Sequence, residues 1–294
     1  MIRVKNLTKE YVKNKGVFDI SFEVQKGEVL GCLGPSGAGK TTIIRQLMGF
    51  EEPSGGQCFI KGRSCYAKSN ELHYITGYVP QVEALPKHET GFTFLRFMAE
   101  MRGMRSMERA MILAEYLNVD LMMSVRKMTE ENRQCISIIN AFMNNPAVLL
   151  LDEPTNRLGA LQKHHLSVLI QEEKVKGRTI FVTSPKFSEI EHLCDRMIML
   201  RKGDLFKTDD IAGIRSIKQM EYVITFSKES EAQAFTKEQF KVTEVIGRQV
   251  TVKVTGEMTL LVSKLGSYQV VGIEAVQQSL DAVFEYDYGE QRND

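Results

Sequence analysis

A glycine-rich segment near the start of the chain constrains its fold and chemistry more than any other part of the sequence. Residues 34–41 match the pattern G-x-x-x-x-G-K-[ST] in full. Glycines let backbone N–H groups turn towards a polyphosphate, because a side chain would block that approach. We therefore predict that this loop and the residue after it bind a nucleotide. These residues are Gly34, Pro35, Ser36, Gly37, Ala38, Gly39, Lys40, Thr41 and Thr42.

The flanking sequence supplies the context that a phosphate loop requires. The apolar residues 28–33 predict a buried strand that leads into the loop, and residues 42–48 predict a helix that ends at Gly49. In this arrangement Lys40 can reach the β- and γ-phosphates of a nucleotide, and the hydroxyl of Thr41 can bind Mg²⁺. The segment therefore predicts a nucleotide site with a metal ion.

Composition and charge argue against several classes of protein. The 294 residues are 43% hydrophobic and 26% charged, which is typical of a globular protein long enough for two domains. A net charge of +1 argues against nucleic acid as the main partner, because no basic excess is present to displace counterions. The five cysteines are scattered, which is typical of reduced thiols in a cytosolic protein. We expect no secretion signal, and no apolar run approaches the roughly 18 residues that span a bilayer.

Hydrophobic periodicity predicts a first domain over residues 1–212, which contains the nucleotide-binding loop. Its fold class is α/β, with strands alternating with turns up to about residue 80. Helical periodicity then predicts a helical subdomain over about residues 87–145. The continuous apolar runs at 147–151 and 179–183 suit strands of a sheet that is covered on both faces. The earlier predicted strands lie at 2–4, 18–24 and 57–60.

A change of pattern after about residue 214 predicts a small α+β C-terminal domain over residues 213–294. The predicted strands lie at 221–226, 241–246, 249–254 and 268–274, and the predicted helices at 228–238, 258–265 and 279–286. The second and third strands are expected to form a hairpin across Gly247.

Two carboxylates follow the apolar strand at 147–151. Asp152 lies at the strand tip, where it can hold Mg²⁺ directly or through water, and Glu153 can act as the general base that polarises an attacking water. A strand that leaves the core through acidic residues is the simpler explanation of such a pair. Together with the phosphate loop, however, the pair predicts the second half of a nucleotide site.

These motifs, in this order, make residues 1 to about 210 resemble the ATP-binding subunits of ABC transporters. Tyr11 matches the aromatic residue that stacks on adenine in that family, and Gln81 matches the glutamine that touches Mg²⁺ and links the core to a helical subdomain. The C-terminal region is similar to the small domain appended to ATPases of drug, peptide and sodium-type exporters, chiefly over residues 278–285.

The resemblance implies a P-loop NTPase core of the ABC ATPase type that binds ATP and Mg²⁺ and hydrolyses ATP. It also implies two kinds of partner, an integral membrane permease and a second ATP-binding subunit. The chain would then be cytoplasmic and peripheral on the inner face of the cell membrane, and no nucleic acid is expected as a partner.

One family motif is altered in a way that changes its charge. In the family, a Leu-Ser-Gly-Gly-Gln signature at a helix N-terminus attracts the γ-phosphate bound by the partner subunit. Counting back from Asp152 places that signature at residues 128–132, where Thr129 keeps the hydroxyl but Glu130 and Glu131 replace both glycines. Thr129 is a good N-cap, and acids suit the first turn of a helix. For a phosphate they are unfavourable, since like charges about 4 Å apart repel by about 4 kcal/mol at an effective dielectric constant of 20.

Two further positions depart from the family. Ser184 occupies the place of a histidine that contacts the γ-phosphate, and Gly159 replaces an aspartate that communicates across the dimer. A serine cannot carry the charge of an imidazole. Lys186 lies close in sequence, but we expect it to be solvated, and we expect His164 and His165 to be surface residues.

These departures predict a slow ATPase or one half of an asymmetric heterodimer. A regulatory module that binds ATP with little turnover is the alternative. An ABC protein that acts on DNA or ribosomes is disfavoured by the single phosphate loop, the near-neutral charge and the absence of long heptad repeats.

A methionine series marks the helical region at positions 98, 101, 104, 107 and 111. We expect this broad apolar side to lie in the core. The alternative is an adaptable groove for a helix of the permease, since methionine accommodates varied partners.

Overall fold

The computed structural model describes residues 1–81, 85–210, 220–254 and 258–276. Contacts divide the chain into two compact units, Met1–Ile211 and Ala212–Asp294. The predicted boundary at 212/213 and the predicted helix at 279–286 lie outside the described residues. None of the helices within the described ranges is both long and apolar enough to cross a bilayer.

The first unit contains ten strands and seven α-helices among its described residues. In chain order they are β1 (Ile2–Val12), β2 (Lys15–Val24), β3 (Val29–Leu33), α1 (Lys40–Leu47), β4 (Gly55–Ile60), β5 (Arg63–Ser64), α2 (Ser69–His73), β6 (Thr76–Val79), α3 (Gly91–Met101), α4 (Glu108–Tyr116), α5 (Glu130–Phe142), β7 (Val148–Asp152), α6 (Ala160–Val175), β8 (Thr179–Ser184), α7 (Phe187–Ile190), β9 (Arg196–Arg201) and β10 (Asp204–Asp210).

These strands form two sheets. The first is antiparallel, in the order β2-β1-β4-β5, and the second has the order β10-β9-β3-β8-β7-β6, with only the β10–β9 pair antiparallel. Strands β1 and β2 are longer than the predicted strands at 2–4 and 18–24 and pair as a hairpin, because the residues at the hairpin tip carry no hydrophobic alternation. Every residue of β3, β7 and β8 is buried, as expected for strands of a sheet covered on both faces.

The core of the first unit joins both sheets through helix α1. Ile43, Ile44 and Leu47 of α1 are fully or almost fully buried in one cluster with residues of both sheets, including Leu7, Ile20, Leu30 and Phe181. Gly49 has φ 66° and ends the helix as predicted. Helix α1 is therefore held firmly, and with it the loop that precedes it.

The helical subdomain lies between β6 and β7, and the predicted burial of its methionine series is wrong. None of the five methionines is buried, and Met101 and Met111 are exposed. The helix faces that pack inwards carry Leu95, Ala99, Ala110, Leu113 and Ala114 instead. Steps of three residues drift around a helix axis, so the methionines do not follow the buried face.

A buried carboxylate joins the helical subdomain to the core. Glu173 of α6 is fully buried, and its Oε1 accepts hydrogen bonds from Arg109 Nη2 of α4 at 2.6 Å and from Lys176 Nζ at 2.8 Å. Arg178 Nε lies 3.7 Å from Oε2. One anion therefore neutralises three partly buried cations.

We expect Glu173→Ala to lower the free energy of unfolding of the first unit by about 3 kcal/mol, because it leaves these cations without their buried anion. Scanning calorimetry measures the change. Glu172→Ala, at the exposed neighbouring position, is the matched control and should change stability by less than about 0.5 kcal/mol. Equal effects of the two substitutions would contradict the assignment.

The second unit has β-α-β-β-α-β connectivity over its described residues. Its elements are β11 (Met220–Phe226), α8 (Glu229–Phe235), β12 (Lys241–Ile246), β13 (Gln249–Val254), α9 (Thr259–Leu265) and β14 (Val270–Val276). The antiparallel order β12-β13-β11-β14 is that of a ferredoxin-like sheet. Phe235 and Leu261 of the helices pack on Ile224, Phe226 and Val252 of the sheet. The predicted α+β fold is confirmed, including the hairpin across Gly247.

Candidate functional site

The phosphate loop lies between β3 and α1, and two of its glycines have backbone conformations that other residues rarely adopt. Gly37 has φ 80° and Gly39 has φ 107°. A Cβ atom on Gly39 would lie 2.4 Å from Val17 Cγ1, and one on Gly34 would lie 2.7 Å from the carbonyl oxygen of Leu200. The glycines of the motif are therefore required both by conformation and by close packing.

The ammonium group of Lys40 lies at the centre of the loop. It is buried, and it donates hydrogen bonds to the carbonyl oxygens of Gly34 at 2.6 Å and Pro35 at 3.0 Å. It also forms an ion pair with Glu153 Oε1 at 3.1 Å. The loop thus holds a buried positive charge directly beside the predicted general base.

Neighbouring parallel strands bring the other predicted residues to the same edge of the sheet. Gln81 follows β6, Asp152 ends β7, and Thr183 lies near the end of β8, opposite Asp152 in the register. Because β3 lies beside β8 in this sheet, the loop meets these residues at the carboxyl ends of the strands.

The oxygen atoms at this edge fit a magnesium ion. Thr41 Oγ1 lies 3.5 Å from Gln81 Oε1. Asp152 is fully buried, and while its Oδ1 accepts a hydrogen bond from Thr183 Oγ1 at 2.9 Å, its Oδ2 has no hydrogen-bond partner. Burial is the main cause that raises the pKa of the Asp152 carboxyl. An unpaired buried carboxylate oxygen beside hydroxyl and amide oxygens is the type of donor set that Mg²⁺ prefers.

Among the described residues, no group of three or more His, Cys, Asp and Glu side chains could hold a metal ion by themselves. A magnesium ion at this edge would therefore depend on phosphate oxygens and water in addition to Thr41, Gln81 and Asp152. This is the usual coordination of Mg²⁺ in nucleotide sites.

Glu153 is held in a strained backbone conformation. Its φ is 48°, in the left-handed region, and its backbone N–H donates to Thr183 Oγ1 at 3.0 Å. Its carboxylate lies between Lys40 and the amide of Gln81, whose Nε2 donates to Oε2 at 3.0 Å. Backbone strain maintained by such contacts is typical of functional residues.

Most of the predicted site residues line one open cleft. They are Tyr11, Ser36, Gly37, Gly39, Lys40, Thr41, Thr42, Gln81 and Glu153. Ala38 and Asp152 are buried beneath this surface. Tyr11 is 49% exposed, and Lys9 Nζ lies 5.4 Å from the centroid of its ring.

Sequence reasoning missed several residues at the site. Lys15 and Gly16 line the same cleft, because the β1–β2 hairpin folds back beside Tyr11. Gly16 has φ 151°, and a Cβ atom there would lie 1.8 Å from the carbonyl oxygen of Lys9. Thr183 lay in a predicted strand but had no assigned role. Gly16 lay outside the predicted strands at 2–4 and 18–24, so no local signal pointed to it.

The end of β8 carries no charge towards the phosphate loop. Ser184 is fully buried, and its hydroxyl donates to Glu189 Oε2 at 2.9 Å. Lys186 and His164 are exposed, as predicted. His165 is not a simple surface residue, because it is half-buried and its ring lies 4.4 Å from that of Tyr116.

The altered signature forms the first turn of α5. Thr129 is the N-cap, as predicted, and its hydroxyl accepts a hydrogen bond from the backbone N–H of Asn132 at 3.2 Å. Glu130 Oε2 lies 3.6 Å from Arg157 Nε. Glu131 Oε1 accepts a hydrogen bond from the backbone N–H of Gly159 at 2.7 Å.

Comparison with known proteins agrees with this geometry. Residues 17–156 match the family described as ABC transporter. An ABC transporter ATP-binding protein of Methanocaldococcus jannaschii is 33% identical over 76% of this chain and 82% of its own length. Another, from Bacillus subtilis, is 32% identical over 79% of this chain and 77% of its own length. A solved ATP-binding subunit of an ABC transporter matches with a TM-score of 0.69 and 26% identity, over 73% of this chain and 92% of that chain.

Proposed function

The chain belongs to the ABC transporter ATP-binding family and is the ATP-binding subunit of such a transporter, and from this premise we propose that it couples ATP binding and slow hydrolysis to a separate membrane permease. The observation that carries the proposal is the convergence of Lys40, Thr41, Gln81 and Glu153 on one cleft. ATPases of this family generally hydrolyse ATP and work as dimers with permeases.

The chemistry follows from the contacts at the cleft. Backbone N–H groups of the loop and the Lys40 ammonium bind the phosphates. Glu153 accepts a proton from a water that attacks the γ-phosphorus, and ADP and phosphate leave. Gln81 orients the Glu153 carboxylate through its amide. Thr41, Gln81 and Asp152 would hold a magnesium ion, which would neutralise charge on the phosphates.

Turnover is slow because the end of β8 offers no cation to the γ-phosphate. The Ser184 hydroxyl is already bonded to Glu189 and cannot replace an imidazolium. Lys40 is therefore the main charge that this chain itself offers to the negative charge that develops in the transition state.

We expect the purified chain alone to hydrolyse ATP at well below about 1 s⁻¹. A coupled assay of phosphate release at saturating MgATP measures the rate. The Lys40→Met variant is the blank that corrects for contaminating ATPases. A Lys40-dependent rate of about 1–10 s⁻¹ would contradict slow turnover.

The helical subdomain carries the surface that we assign to the permease. Met111, Ile112 and Met122 are 48%, 59% and 70% exposed and line one groove with Val119 and Leu121. Its rim is acidic, with Glu108, Glu115 and Asp120. An amphipathic segment with basic residues matches this surface in both polarity and charge.

Docking on such a permease would place the chain in the cytoplasm, at the inner face of the membrane. Co-purification of the full chain from detergent-solubilised membranes, with identification of the bound chains, tests this assignment. Recovery of the chain without a membrane protein would contradict it.

A further inference from the structure

Two departures from the family pattern touch each other in the structure. Glu131 lies in the first turn of α5, and its Oε1 accepts a hydrogen bond from the backbone N–H of Gly159, on the loop that follows β7. The preceding residue, Glu130, pairs with Arg157 of the same loop. The altered signature therefore contacts the loop that follows β7 at two points.

A side chain at position 159 would crowd the end of the Glu131 side chain. A Cβ atom at position 159 would lie 2.8 Å from Glu131 Oε1 and 3.8 Å from its Cδ. An aspartate would also bring a like charge beside the Glu131 carboxylate. The glutamate at 131 and the glycine at 159 thus form one matched exchange.

Glutamate at 131 and glycine at 159 together change which ligands the N-terminus of α5 can bind. Thr129 satisfies the backbone N–H of Asn132, and two carboxylates occupy the first turn. Carboxylates at this end of a helix satisfy the partial positive charge that would otherwise attract a phosphate. A nucleotide that displaced both carboxylates would have to break the hydrogen bond to Gly159 and the exposed ion pair with Arg157.

We propose that Glu130 and Glu131, held by Arg157 and Gly159, form an intrachain clasp that closes the N-terminus of α5 to a triphosphate, so that the second ATP-binding subunit is a different chain and not a copy of this one. The proposal rests on the proposed function, because it concerns where the nucleotide of a partner subunit would bind. In a pair of identical chains, both nucleotides would face a closed helix end. A different partner with an uncharged signature would leave one complete site, over this chain's own ATP.

The first test examines the clasp without any nucleotide. Gly159→Asp should lower the melting temperature of the full chain by about 3 °C when Glu131 is present. The same substitution should have little effect in a Glu131→Gly background, since the carboxylate that it opposes is gone. An equal loss in both backgrounds would overturn the matched exchange.

The second test examines dimer formation in a Glu153→Gln background, where hydrolysis is suppressed. Light scattering with millimolar MgATP should show a monomer for this chain. The added pair Glu130→Gly and Glu131→Gly should produce an ATP-dependent dimer. Glu229→Gly, which removes an exposed acid from the first turn of α8, is the matched control and should stay monomeric.

If the double glycine variant fails to fold, the double variant Glu130→Gln and Glu131→Gln replaces it. Glutamine also removes the charge, and it favours a helix more than glycine does. An ATP-dependent dimer with both glutamates intact would overturn the clasp. It would also be overturned if both folded variants bound ATP and remained monomeric. Calorimetry on the same samples separates this result from failure of the proposed function, which would appear as no uptake of ATP by any variant.

Discussion

A Lys40→Met variant should bind MgATP about 1,000-fold more weakly than the unsubstituted chain. Each charge-assisted hydrogen bond to a phosphate contributes about 2 kcal/mol, and loss of two corresponds to about 4 kcal/mol, or about three powers of ten in the dissociation constant. Methionine keeps the apolar stem that is buried beneath the loop and removes only the charge. Isothermal titration calorimetry measures the change.

Lys186→Met is the matched control for this variant. Lys186 is exposed and does not line the cleft of the phosphate loop, so we expect its substitution to leave ATP affinity unchanged. Unaltered ATP binding by Lys40→Met, in a chain shown to be folded by circular dichroism, would contradict the assignment of the nucleotide site.

Glu153→Gln should slow ATP hydrolysis by about 1,000-fold, within the usual range for loss of a general base. Glutamine has the same shape and can still contact Gln81 and Lys40, but its amide cannot accept the proton of the attacking water. Binding of ATP should therefore persist. Single-turnover hydrolysis of labelled ATP, followed over hours, gives the rate.

The same variant separates the transporter subunit from the alternative of a regulatory module. Glu191→Gln, at a carboxylate outside the described lining of the cleft, is the control. If cells that carry Glu153→Gln transport normally, ATP binding without hydrolysis is sufficient and the regulatory role is favoured. Loss of transport supports coupling of hydrolysis to the permease.

The phosphate loop, the strand before it and the helix after it were predictable because their signals are local. The backbone conformations at Gly37 and Gly39 and the position of Lys40 depend on residues within one short segment. The buried strands β7 and β8 were equally clear, since a sheet that is covered on both faces requires continuous apolar runs. Asp152 and Glu153 followed from the acidic end of the apolar run at 147–151, and resemblance to a family then identified Tyr11 and Gln81.

The methionine series shows where local reasoning fails. Whether Met101 and Met111 are buried depends on which face of α3 and α4 meets α5, and that choice is made by packing across the subdomain. The hairpin that brings Lys15 and Gly16 to the cleft was also invisible, because strand pairing joins residues whose own pattern is polar.

The amino-acid sequence by itself predicted the phosphate loop and the α/β and α+β fold classes, and the family resemblance located the altered motifs. Only the tertiary structure showed that the two altered residues Glu131 and Gly159 contact each other. These residues are 28 positions apart, on a helix of the subdomain and a loop of the core. Their interaction depends on how the chain folds back on itself. Local sequence propensities carry no information about contacts between residues so far apart in the chain.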